Sequence, residues 1–292
     1  MSALSAGLSA RPDGTIVTTM SSQGERSAAH TVLPRGLSYF EYQRLVCTDV
    51  VIPWLAARID LSTLEVGDFG AHQGGMLDAL RESGLVAGAT GLELSAEVVE
   101  SSPFVADERF RLEVADVMSR DDDAPTFDLV LMHDVLEHIP DYDAALRAVV
   151  RSLRPSGHLF ISFPPYYSSF GGHQHLARGR ARSLPFVHLL PSGLFFRVAR
   201  PGANEYMSAQ GSREDMVSVR ETKLTLGGAE RAFGSAGLGV VDRQFFVIRP
   251  EHTVRYEIRT RDARALGRIP GLREAVVNGG FYLLRAPATG PA

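Results

Sequence analysis

The stretch E-V-G-D-F-G-A-H-Q-G-G, Glu65 to Gly75, decides the fold. An apolar run through Leu64 and Val66 ends at Asp68, Gly70, Gly74 and Gly75 follow, and helical spacing begins near Met76. A strand that passes through a glycine-rich turn into a helix offers free N–H groups and a close backbone approach at one point. A doubly wound α/β sheet holds a nucleotide-like ligand at such a point. The pattern is short, so its meaning rests on what the neighbouring strand ends carry.

Working outward, strand and helix patterns alternate. Strands are predicted near 64–69, 89–94, 110–115, 127–132 and 158–163, with helices near 75–83, from Ser95, and near 141–153; Asp121 to Pro125 reads as a solvated loop. Five strands separated by helices imply a mostly parallel sheet with right-handed crossovers. After Phe163 the alternation stops. Residues 164–221 hold P-P-Y-Y, G-G-H-Q-H, R-G-R-A-R and an apolar stretch, too long for an ordinary connection, and read as an inserted lid. A helix near 225–235, a strand near 239–248 and a strand near 281–285 follow, with an Arg-rich insertion near 250–275 between the last two. The expected fold is therefore α/β: a doubly wound, seven-stranded, mostly parallel sheet with an antiparallel C-terminal edge hairpin and a lid after strand 5.

The remaining segments complete the organisation. Residues 1–34, rich in Ser, Ala, Gly and Thr, read as a flexible tail. Residues 35–60 read as a helical cap: Tyr39, Tyr42, Val46, Val50 and Trp54 recur at helical spacing broken by Pro53, in a position to close over a ligand. The α/β core then spans 61–163 and resumes over 222–286.

Composition excludes several classes. In 292 residues, 45% hydrophobic and 22% charged content suit a soluble enzyme, and a net charge of −4 favours neither nucleic acid nor an anionic membrane. The single cysteine, Cys47, excludes an internal disulfide and a cysteine-based zinc cluster. With no apolar run long enough for a membrane span and no secretory signal pattern, a cytoplasmic location is expected.

Each parallel strand ends on a polar residue, where such sheets bind ligands. Strand one ends at Asp68; Glu93 ends strand two, placed to accept two ribose hydroxyls; Asp116 ends strand three, suited to an adenine amine; His133 and Asp134 end strand four. At this point D-F-G-A-H-Q-G, G-L-E-L, A-D-V, F-D-L-V-L-M-H-D-V-L-E-H-I and L-R-P-S-G-H-L-F-I-S resemble the ordered motifs of class I S-adenosylmethionine-dependent methyltransferases, a Rossmann-like family. The ubiquinone-pathway O-methyltransferases are the type most similar in these motifs. The resemblance covers about residues 60–163. It implies S-adenosylmethionine as cofactor, bound by Asp68, Gly70, His72, Gly74, Glu93, Leu94, Asp116, Val117 and His133. His72 stands where the family usually has a second glycine, and is expected to crowd or contact the methionyl carboxylate. An NAD(P) site fits poorly, because the spacing after Gly70 is not G-x-G-x-x-G.

Methyl transfer from a sulfonium needs alignment and, for a hydroxyl acceptor, removal of a proton. The candidates are His138, His133 and Asp134. The D-x-x-E-H pattern of Asp134, Glu137 and His138 resembles the metal motif of the ubiquinone-pathway enzymes and of small-RNA 2′-O-methyltransferases, which add a later histidine. His173 and His175 are the candidates for that ligand here, with Mg2+ or another divalent cation as the implied ion. The alternative keeps Glu137 as a local cap and His138 as a packed residue or plain base. Tyr166 and Tyr167 read as aromatic walls for an acceptor. Arg178, Arg180 and Arg182 read as a solvated basic loop or an anion site. The apolar stretch from Leu184 to Phe196 packs on the core, forms a homodimer face or covers the acceptor, three alternatives open at this stage. The expected function is O-methylation of a phenolic, polyketide-like or glycosyl small molecule of secondary metabolism. A nucleic-acid methyltransferase and a non-methylating S-adenosylmethionine-binding protein are the alternatives.

Overall fold

The computed structural model describes residues 36–120, 126–203 and 207–288, and the two strands Gly7–Ala10 and Ile16–Thr19, which pair antiparallel in a separate unit. The rest of the tail expected over 1–34, the acidic loop from Asp121 to Pro125 and residues 289–292 lie outside the described residues.

Ser38 and Glu41 start the main body with a capping box. The Glu41 N–H donates to Ser38 Oγ at 3.2 Å and the Ser38 N–H donates to Glu41 Oε2 at 2.8 Å, so α1, Tyr39–Val46, begins with two of its free donors satisfied. Pro53 has no N–H to return to the preceding turn, and the helix widens into a π-helical turn over Cys47–Val51 before α2, Ile52–Ala56. The apolar face of these helices, including Val46, Trp54 and Leu55, packs on one side of the sheet with α3, Gly75–Ser83.

The parallel strands are β1 Glu65–Phe69, β2 Gly88–Glu93, β3 Phe110–Val114, β4 Phe127–His133 and β5 Leu153–Phe163, with the short helix α4, Ala96–Glu100, after β2 and α5, Tyr142–Ser152, before β5. The insertion after β5 contains α6, Ser192–Val198, and α7, Ala209–Thr222. Then come α8 Leu226–Ser235, β6 Gly239–Ile248, α9 Glu251–Tyr256, β7 Arg261–Asp262, α10 Leu272–Val276 and β8 Gly279–Arg285. The strand order is β3-β2-β1-β4-β5-β8-β6-β7. The order in which strands are added reverses between β1 and β4, and ligands bind at such a switch point.

The sheet is the expected doubly wound one, with two differences. It has an eighth strand, the two-residue β7, too short to leave an alternating pattern in the sequence. β8 is antiparallel to both neighbours, as expected of the C-terminal pair, but lies inside the sheet between β5 and β6 rather than at its edge. Gly280 through Leu284 are all buried, and a strand apolar on both faces is stable only where both faces are covered. Leu146, Val149, Leu226 and Phe233 of α5 and α8 fill the opposite face of the sheet.

The insertion carries a small core of its own, in which Leu176, Val187, Phe195 and Met216 are buried together. This divides the apolar stretch: Val187 and Phe195 point into that core, while Leu184, Phe186, Leu189 and Leu194 are exposed. Arg220 of α7 donates to the carbonyls of His188 and Leu190, which ties the helix to the preceding loop. Among the described residues, no helix is long and apolar enough to cross a membrane.

Candidate functional site

The glycine turn is pinned to β2. The N–H groups of Gly70 and Ala71 both donate to the Leu92 carbonyl, at 2.8 and 3.1 Å. Gly70 and Gly74 take φ values of +80° and +79°, and a Cβ on Gly70 would stand 2.5 Å from Val135 Cγ2. His72 sits in the same left-handed region at φ +50°, which accounts for the strain of a non-glycine residue there. Its N–H donates to Glu93 Oε2 at 2.9 Å, and its ring packs edge-on against Tyr39 of α1, with centroids 4.6 Å apart. The cap therefore covers the turn. Gln43 of α1 lies where a side chain on Gly75 would stand.

Glu93 is held from two sides, its second oxygen accepting from the Ser95 N–H at 3.0 Å, and its remaining lone pairs can accept from ligand hydroxyls. Asp116 caps the turn Val117–Ser119, accepting from the Met118 N–H at 2.8 Å. Leu94 is exposed and Val117 half-buried. Asp68 is buried, and burial, with the nearby Glu93 charge, pushes its carboxyl up to about 7 against the pull of His133. Among the described residues, Asp68 Oδ2, His72 Nδ1 and Gln43 Oε1 are buried without hydrogen-bond partners. Unpaired buried polar atoms are costly, and a polar ligand seated in the turn would pair them. The donor set fits the amino-acid end and ribose of S-adenosylmethionine.

From the end of β4 a cavity of about 740 Å³ extends under the insertion, lined by Tyr42, His133, His138, Phe170, His175 and Tyr256 among others. Two groups of titratable residues border it. In the first, His133, Asp134 and Glu251 surround Arg249. Arg249 Nη2 lies 2.7 Å from each Asp134 oxygen and 2.5 Å from Glu251 Oε1, while His133 Nε2 lies 3.2 Å from that same Glu251 oxygen. Burial alone drives the Asp134 carboxyl up and the His133 imidazole down. Arg249 and His133 overcome this for Asp134 and hold it below its usual range; Asp134 and Glu251 hold His133 above its own.

The second group is Glu137, His138 and His173. Glu137 and His138 lie on the short turn Leu136–His138, and His173, at φ +53°, comes from the insertion. His138 Nε2 and His173 Nε2 each lie 4.0 Å from Glu137 Oε1. Behind them, Asp215 of α7 lies 3.3 Å from His138 Nδ1 and 2.8 Å from His173 Nδ1. Burial, then the neighbouring His173, pushes His138 down to about 4 against the Asp215 charge, and burial with the Asp134 charge raises Glu137 well above its usual value. Burial opposes ionisation of Asp215, but the two imidazoles hold it down to about 2. Both Glu137 oxygens are buried without a partner among the described residues. Two imidazole nitrogens facing an orphaned carboxylate form a donor set that fits a divalent cation.

Of the five expected metal ligands, the structure brings Glu137, His138 and His173 together. Asp134 turns instead to Arg249 and Ser162, and His175 lines the cavity with its ring centroid 5.3 Å from that of His173. Tyr166 and Tyr167 are not walls of the cavity. Tyr166 packs against His188, and Tyr167 is exposed, because the chain turns after β5 to bond the Tyr166 N–H to the Leu224 carbonyl. Arg178, Arg180 and Arg182 are exposed, and Arg182 reaches the cavity rim. Sequence reasoning missed Asp215, Arg249 and Glu251. Asp215 sits in an ordinary charged helical run, and Arg249 and Glu251 lay within or beside a segment read only as Arg-rich.

A family model described as a methyltransferase domain matches residues 39–195. A ubiquinone biosynthesis O-methyltransferase of Xanthomonas oryzae pv. oryzae (strain PXO99A) is 31% identical over 121 residues, covering 39% of this chain and 48% of that protein. One of Coxiella burnetii (strain Dugway 5J108-111) is 24% identical over 177 residues, covering 56% and 68%. The chain spans about half the length of the first of these relatives. Among solved structures, the plantazolicin methyltransferase BpumL in complex with SAH is similar, with a TM-score of 0.52, 12% identity and coverage of 85% of this chain and 86% of that one. So is the complex of the Haloferax volcanii Trm112 methyltransferase activator with a methyltransferase, with a TM-score of 0.52, 16% identity and coverage of 86% and 93%. Both likenesses are of fold.

Proposed function

Because the chain belongs to the family of S-adenosylmethionine-dependent methyltransferases, we propose that it methylates a hydroxyl oxygen of a small molecule, with Glu137, His138 and His173 holding a divalent cation beside the acceptor. The acceptor class is phenolic, polyketide-like or glycosyl, and the setting is cytoplasmic secondary metabolism. The observation that carries this reading is the meeting of both imidazole Nε2 atoms with Glu137 Oε1 at one edge of the cavity.

Each part of the chain has a task in this reading. Glu93 accepts from the ribose, Asp116 from the adenine amine, and Asp68 from the methionyl ammonium, which fixes the sulfonium at the turn. The aromatic cavity walls Tyr42, Phe170 and Tyr256 hold the acceptor and exclude water. A bound divalent cation supplies a Lewis acid that lowers the pKa of the acceptor hydroxyl. With His138 committed as a ligand, His133, backed by Glu251 at the end of β4, takes the hydroxyl proton. The methyl group passes from sulfur to oxygen, the sulfonium becomes a neutral thioether, and the proton resides on His133.

The test is transfer assayed by product mass before and after chelation with EDTA. The expected result is a product heavier by one methylene, loss of that product in EDTA, and recovery with Mg2+ or Mn2+. Full activity in EDTA overturns the cation and returns the base role to His138. An unchanged acceptor mass across a panel of phenolic, polyketide and glycosyl acceptors overturns the transfer itself.

A further inference from the structure

We propose that Asp215, with Ser218 one turn further along α7, is the positioning residue that fixes the tautomer and aim of both histidines at the candidate cation site. The inference rests on the cation reading given above and concerns residues that the D-x-x-E-H pattern does not include.

The hydrogen bonds decide the tautomers one at a time. The Ser218 hydroxyl donates its hydrogen to the Asp215 backbone carbonyl at 2.8 Å. Toward His138 Nδ1, 3.0 Å away, the same oxygen can then only accept, so the proton of the neutral ring sits on Nδ1. Asp215 Oδ1, 3.3 Å from that nitrogen, is a second acceptor on the same side. His173 Nδ1 lies 2.8 Å from Asp215 Oδ2, and a carboxylate oxygen accepts only, so this ring also carries its proton on Nδ1. In both rings the lone pair is left on Nε2, the nitrogen 4.0 Å from Glu137 Oε1. Both lone pairs thus face Glu137 across 4.0 Å, too far for a hydrogen bond, and a cation between the three groups fills that gap.

The ring geometry agrees. The two imidazoles stand edge to face, with centroids 4.9 Å apart and planes at 66°, so neither can flip without colliding with the other or losing its Nδ1 contact. His173 holds a left-handed backbone, a strained state that persists where surrounding contacts over-determine it, and the Asp215 contact is one of these. Asp215 and Ser218 lie on the insertion helix and Glu137 and His138 on the core, so the donor set is held together by the packing of α7 on the Leu136–His138 turn. A partner of this kind changes metal affinity by about 10–100-fold when removed.

The experiment titrates the purified full chain with Co2+ and Mn2+ alone, by calorimetry and by the visible absorption of the Co2+ form, and measures S-adenosylhomocysteine affinity in parallel. Asp215→Asn is expected to weaken Co2+ binding by about 10–100-fold and to alter the Co2+ spectrum, with S-adenosylhomocysteine affinity unchanged. Asp215→Glu is expected to restore part of the loss. Ser218→Ala removes one acceptor from His138 and is expected to weaken Co2+ binding less than Asp215→Asn does; it carries the test if Asp215→Asn does not fold, as judged by lost S-adenosylhomocysteine binding. A wild-type chain that binds Co2+ while both Asp215→Asn and Ser218→Ala bind it equally well overturns this inference and leaves the cation standing. A wild-type chain that binds neither ion overturns the cation reading and this inference with it.

Discussion

Arg249 grips Asp134 across 115 residues of sequence, with one guanidinium nitrogen 2.7 Å from both carboxylate oxygens. Asp134 follows the end of β4 at φ +55°, and Ser162 of β5 donates to it as well. The residue that opens the D-x-x-E-H pattern is thereby occupied in anchoring the segment after β6 to the end of the parallel sheet. Arg249 also holds Glu251, so one buried cation balances two carboxylates.

Arg249→Met is therefore expected to destabilise the protein by about 3–5 kcal/mol, because removing one member of a buried ionic group leaves the others unpaired. Urea denaturation measures it. A loss below about 1 kcal/mol would show that Asp134 and Glu251 regain water or protonate without the arginine, and that the anchor is not structural.

Glu93→Ala is expected to weaken S-adenosylhomocysteine binding by about 10–100-fold, the value of hydrogen bonds to a charged acceptor. The same substitution frees the His72 N–H that Glu93 accepts and loosens the turn. Calorimetry on the variant checks it; unaltered affinity would place the ribose elsewhere.

His188 gives a pH dependence separate from the cavity. It is fully buried with Nε2 2.7 Å from the Tyr166 carbonyl, and burial, with the Arg220 guanidinium, holds it down to about 4 from an ordinary 6.5. As pH falls below 6.5 the unfolded chain takes up this proton first, so the contribution is whole above that value and declines toward pH 4. The expected decline is about 1–3 kcal/mol from this residue. Denaturation midpoints across that range should fall with pH, and less steeply in His188→Gln; identical slopes would assign the effect to other groups.

The candidate donor residues could be nominated from the sequence because each lies within two residues of a strand end. Asp68, Glu93 and Asp116 announce themselves where an apolar run meets a turn, and Glu137 and His138 follow β4 within a few positions. The acceptor half was legible only as isolated letters. His173 could be nominated from its glycine-flanked loop, but its partner Asp215 lies 42 residues on, in a helix whose charged run looks like a solvated face. Arg249 was hidden for the same reason: nothing periodic links it to Asp134. The place of β8 inside the sheet follows from its unbroken apolar run, a burial signal that strand count alone does not use.

The small separate core of the insertion has a bearing on how this scaffold could be repurposed. Loops that pack on their own residues are natural units for grafting, and exchanging 164–222 for the equivalent segment of another methyltransferase would be expected to leave the nucleoside end of the donor site untouched. It would also carry away His173, Asp215 and Ser218 in one piece. On the proposed cation reading, acceptor choice and metal binding would be inherited together, and a chimera made to alter the first would have to supply its own version of the second.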